Sequence, residues 1–75
     1  MTAMKNFHDY YFGIPTSKRA AFAARCGTAE TYLERLAGGF RKPSIRLARK
    51  IIAASNNRIN YESFVEVWEK RNGPL

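Results

Sequence analysis

The chain has 75 residues, 45% of them hydrophobic, and carries a net charge of +7. That length suits one domain over 1–75 whose apolar residues can fill a core without a metal or a disulfide, and the single cysteine fits a reducing compartment. No apolar run nears the roughly 20 residues that a membrane span needs, and the N-terminus lacks the apolar stretch and small-residue site of a secretory signal, so a cytoplasmic location without membrane partners is expected.

Thr2 is suited to cap a first helix over 3–11, with Met4, Phe7 and Tyr11 on one apolar stripe. Gly13 and Pro15 end it. His8 is the sole histidine and has no cysteine or second histidine nearby to share a metal. Thr16 or Ser17 then caps a second helix, 17–25. Lys18 and Arg19 in its first turn oppose the helix dipole, an arrangement that makes sense where a phosphate sits at that N-terminus.

Phe22, Ala23 and Cys26 give the second helix an apolar face. Ala23 stands four residues before Gly27, where a larger side chain would push two crossed helices apart. Gly27 can take a positive φ and turn the chain sharply, and Thr28 suits the N-cap of a third helix, 29–37. On that helix Ala29, Leu33 and Leu36 share a face, and Glu30, Thr31, Glu34 and Arg35 point the opposite way. Gly38 and Gly39 stop it, and Phe40 to Pro43 form a basic loop.

Ser44 caps a fourth helix, 45–54. Ile45, Ala48 and Ile52 make its stripe, Leu47 and Ile51 lie beside it, and Arg46, Arg49 and Lys50 face out. Asn60 caps a fifth helix, 61–71, with Tyr61, Phe64, Val65 and Trp68 at i, i+3, i+4 and i+7. The run from Phe64 to Trp68 is also β-prone.

The helix, the turn at Gly27 and the second short helix resemble the helix-turn-helix of lambdoid phage repressors and Cro proteins, in the Cro or YdaS-like branch. The resemblance implies an all-α, compact five-helix domain. Cro proteins also occur with a C-terminal β-hairpin, which leaves an α+β alternative. It further implies that Glu30, Thr31 and Arg35 stand where the family reads bases, with Glu34 at a place that often points along the groove, and that the chain pairs through the half beyond the helix-turn-helix. Phe64 and Trp68 on the fifth helix are the residues expected at that dimer contact.

Charge placement leads to the same partner. Residues 1–15 and 51–75 are each neutral overall, whereas 16–50 hold nine basic groups against Glu30 and Glu34. A polyanion is the direct reading. An α-helix fits the major groove, where Arg35 can donate twice to a guanine, Thr31 can meet a base edge or a thymine methyl, Glu30 can accept from a cytosine amino group, and Ala29 can touch a thymine methyl. Thr16, Ser17, Lys18 and Arg19 on one side, and Arg41 and Lys42 on the other, would hold phosphates without reading bases. No catalytic set, cofactor fingerprint or paired-cysteine metal site is present, so neither an enzyme nor a cofactor is expected. The expected function is a sequence-specific transcriptional repressor of Cro type, binding a palindromic double-stranded DNA operator as a homodimer in a bacterial or phage-infected cell. Its alternatives are an antitoxin-like regulator with the same chemistry, or a protein-interaction module presenting Tyr61, Phe64 and Trp68.

Overall fold

A computed structural model describes residues 5–74, and among them every regular element is a helix: α1 (Phe7–Phe12), α2 (Thr16–Cys26), α3 (Glu30–Ala37), α4 (Ile45–Ala54) and α5 (Tyr61–Asn72). The all-α expectation holds and the β-hairpin alternative does not, because the β-prone run from Phe64 to Trp68 lies inside α5.

The helix starts follow local caps. Asn6 accepts from the Asp9 amide at 2.8 Å, so α1 begins at Phe7 rather than at residue 3; Thr2, Ala3 and Met4 lie outside the described residues. Neither Thr16 nor Ser17 caps α2. Pro15 holds that position with no side-chain bond, and both hydroxyl residues fall inside the first turn. Ser44 caps α4 by accepting from the Leu47 amide at 3.2 Å. Asn60 and Ser63 form a reciprocal capping box on α5, with bonds of 3.0 and 3.1 Å.

Left-handed residues close three of the helices. Gly27 has φ +73, and the Thr28 amide donates to the Ala23 carbonyl at 3.1 Å. That bond commits Thr28 to the end of α2, so the extended Ala29, not Thr28, is the N-cap of α3. Gly39 has φ +80 and repeats the device, with the Phe40 amide on the Arg35 carbonyl at 2.9 Å. Asn56 and Asn57 do so after α4, with the Asn57 amide on Ile52 at 3.0 Å.

α5 packs against α1, α3 and α4, while α2 packs against α3 and α4 and α1 against α3. Phe7, Tyr11, Phe22, Leu33, Leu36, Ile51 and Ile59 fill the space between them, and Ala23 is buried as its position before Gly27 requires. Two expectations need correction. The buried stripe of α4 is Ala48 and Ile51; Ile45 is 59% exposed because α4 turns that side to water. Phe64, expected at a dimer contact, is 1% exposed and stacks on Phe7 with ring centroids 4.7 Å apart. It is core, and Val65 and Val67 are buried beside it in α5, with Trp68 half-buried.

Candidate nucleic-acid interface

The amphipathic period of α3 turns Leu33, Leu36 and Ala37 inward and leaves Ala29, Thr31, Glu34 and Arg35 exposed, with Glu30 half-buried. The four outward residues do not form one face. Arg35 lines an open cleft of about 480 Å³ with Phe40 and Arg41. Glu34 lines a different groove, of about 660 Å³, with Asp9 and Phe12 from α1 and Lys70 and Arg71 from α5. Glu30 is on the α1 side as well: burial first, then the charges of Glu34 and Glu30, push the Tyr11 phenol above its ordinary value. The Tyr11 hydroxyl is buried with no hydrogen-bond partner. Thr31, Glu34 and Arg35 are thus the exposed polar side chains of α3, with Glu34 and the half-buried Glu30 on its α1 side.

At the start of α2, Thr16, Ser17 and Lys18 are exposed in a first turn that holds no acidic residue. Arg19 behaves differently from the free cation expected there. Its Nε donates to the Ile14 carbonyl at 3.0 Å and a terminal nitrogen donates to the Phe12 carbonyl at 3.3 Å, while the guanidinium lies over the Tyr11 and Phe12 rings at 5.4 and 5.3 Å. Arg19 ties α2 to the end of α1, satisfying the open Phe12 carbonyl of that helix and the Ile14 carbonyl of the turn after it.

The loop after α3 carries its cations on aromatic rings. Arg41 lies over Tyr32 at 5.9 Å and Lys42 over Trp68 at 5.8 Å. The Arg71 guanidinium, from α5, stacks on Phe40 at 3.8 Å. Arg71 was not among the expected site residues, and no local pattern joins it to Phe40, since the two meet only through the packing of α5 on the loop. Lys50 also belongs near the helix-turn-helix: a Cβ on Gly27 would sit 4.0 Å from its ammonium. A ring attracts a cation by its quadrupole without cancelling the charge, as a carboxylate would, so these contacts bias where Arg41, Lys42 and Arg71 lie, most closely for Arg71.

Cys26 is buried and free, and burial pushes its thiol up to about 11, out of the range of a reactive nucleophile. Among the described residues no group of three His, Cys, Asp or Glu side chains could hold a metal ion, and no helix is long and apolar enough to cross a membrane. Compared with family models, curated proteins and solved structures, the chain matches none.

Proposed function

We propose that this chain is a sequence-specific regulator that binds double-stranded DNA through α3 in the major groove and represses transcription by occupying an operator. One observation carries the reading: the whole charge excess lies in the stretch containing the helix-turn-helix, where Arg35 of α3 shares a cleft with Arg41. Thr31 and Arg35 would meet base edges, and Ala29 would add a methyl contact at the helix start. Thr16, Ser17, Lys18, Arg41 and Lys42 would hold phosphates. Glu30 and Glu34 flank this surface and would repel non-specific backbone. A single short helix reads few base pairs, so the reading includes a homodimer on a palindromic site with recognition helices about 34 Å apart. Of the two residues expected at that contact, Trp68 alone remains available. A cytoplasmic site of action in a bacterial or phage-infected cell belongs to the same reading.

A protein-interaction module would lose Phe64, which is core, and would rest on the half-buried Tyr61 and Trp68 alone. An antitoxin-like regulator would use the same DNA chemistry. Selection of bound sites from random duplex DNA tests the proposal. A palindromic consensus supports it, and recovery of no preferred sequence refutes it. On the selected site, Arg35→Ala should cost about 1–3 kcal/mol and relax the preference at one guanine. An equal loss on every sequence would make Arg35 a phosphate contact instead.

A further inference from the structure

Phe40 is 60% exposed, yet it is not loose. Its amide donates to the Arg35 carbonyl at 2.9 Å, and the Asn72 side-chain amide donates to the Gly39 carbonyl at 2.8 Å, which fastens the loop to the end of α5. The Arg71 guanidinium covers the ring at 3.8 Å. Gly38 makes room for it, since a Cβ there would fall 2.8 Å from the ring. Leaving a phenyl ring in water forgoes the burial that usually fixes its place, and here contacts from two elements hold it outside the core.

The ring stands between two concavities. The groove on one side is lined by Asp9 and Glu34 as well as by Lys70 and Arg71. The cleft on the other side is lined by Phe40, Arg35 and Arg41. An anionic strand is drawn to the second, where both charged walls are cationic. A flat apolar ring between guanidinium groups matches one nucleotide unit of a strand, which offers an apolar sugar face beside a charged phosphate.

We propose that the Arg35–Phe40–Arg41 cleft seats one sugar–phosphate unit of duplex DNA: the deoxyribose lies on Phe40, Arg41 holds the phosphate, and Arg71 is a positioning residue that keeps the ring in place. Arg35, the opposite wall, passes along the seat to the base it reads, so the seat fixes the register of α3 in the groove. The inference rests on the DNA reading above and extends it to an apolar contact that the charge pattern does not reveal.

Salt separates this contact from an ionic one. Phe40→Ser should weaken binding about tenfold on selected and random duplexes alike, the loss expected from uncovering part of a phenyl ring, and should leave the dependence of log K on log salt unchanged. Arg41→Ala should flatten that slope by about one unit. Arg71→Gln should reproduce the affinity loss of Phe40→Ser, and Arg71→Lys should restore part of it. A parent chain that binds no duplex refutes the DNA reading itself. A parent that binds, with a Phe40→Ser variant that binds equally well, overturns the seat alone, as does a loss confined to one sequence. Should Phe40→Ser fail to fold, the Phe40 ring resonances of the parent chain decide: they should shift on adding duplex and stay in place with inorganic phosphate. Resonances unmoved by duplex, or moved equally by phosphate, overturn the seat.

Discussion

Adjacent glycines in the loop after α3 should respond in opposite ways to the same added methyl group. Gly39 has φ +80, and a Cβ there would lie 3.0 Å from the Val67 carbonyl oxygen and 3.0 Å from the Arg71 Cβ. The left-handed backbone costs an L-residue about 1–2 kcal/mol, and pressing a methyl onto the backbone of α5 adds at least about 1 kcal/mol. Gly39→Ala should therefore lose about 2–4 kcal/mol, out of roughly 4–11 kcal/mol expected for a fold of this length. At about 4–8 °C per kcal/mol, its thermal midpoint should fall by at least about 8 °C. Gly38 has φ −85, where alanine is unstrained, and its added Cβ would meet the Phe40 ring at 2.8 and 2.9 Å. A ring that is mostly in water can swing away. Gly38→Ala should melt within about 1 kcal/mol of the parent, helped by the smaller entropy of its unfolded chain, yet should lose DNA affinity as Phe40→Ser does. Far-ultraviolet circular dichroism melts beside duplex titrations read both quantities. A Gly39→Ala chain that melts with the parent, or a Gly38→Ala chain that falls as far as Gly39→Ala, would refute this account of the loop.

Arg19→Ala should destabilise the fold by about 1–2 kcal/mol, because the Phe12 and Ile14 carbonyls lose a charged donor, whereas Lys18→Ala should leave the melt unchanged and flatten the salt slope of DNA binding by about one unit. Equal behaviour of the two variants would contradict the division between them. Trp68→Ala should keep the helical signal and half-site binding but lose cooperative binding to a full palindrome beyond what Lys42→Ala loses; collapse of the helical signal would make Trp68 core. Burial raises the Cys26 thiol from 9.0 to about 11 and also raises the Tyr10 and Tyr11 phenols above 10.0. These groups ionise more readily in the unfolded chain, so the stability they contribute is complete below pH 9 and is lost as pH climbs towards 11. A thermal midpoint that stays level across that range would show that they are not buried in the fold.

The starts of α4 and α5 were legible in the sequence, whereas those of α1, α2 and α3 fall at Asn6, Pro15 and Ala29 rather than at the hydroxyl residues expected to cap them. Ser44 and Asn60 cap α4 and α5 where their side chains suggest, since a cap needs only the amide three residues on. The start of α3 was displaced by a competing local bond: the left-handed Gly27 directs the Thr28 amide back to Ala23. Non-local packing decided which apolar rings are core and which cations are engaged. The apolar spacing of α5 offers Phe64 and Trp68 equally, and only the position of Phe7 on α1 makes Phe64 the core ring. The charge of Arg19 was visible, but not the open carbonyls at the end of α1 that engage it. Phe40 and Arg71 lie far apart in the chain and meet only after α5 docks on the loop.

The same packing divides the cations into two sets with different work. Arg19 and Arg25 lie over rings of the first two helices, Arg19 over Tyr11 and Phe12 and Arg25 over Phe22. Arg41, Lys42 and Arg71 lie over Tyr32, Trp68 and Phe40, rings grouped around the α3–α4 loop. In both sets the ring limits where the cation can go and leaves its charge intact, at an attraction of about 0.5–1 kcal/mol for an exposed pair. A long basic side chain that is already placed loses less conformational freedom when it meets a phosphate. Carboxylate partners would give the same order and cancel the charge. The aromatic residues around the α3–α4 loop are thus part of the electrostatics of the candidate interface: they let a small chain hold a concentrated positive charge in a defined geometry, and a change in one of those rings should reach DNA affinity without altering the net charge.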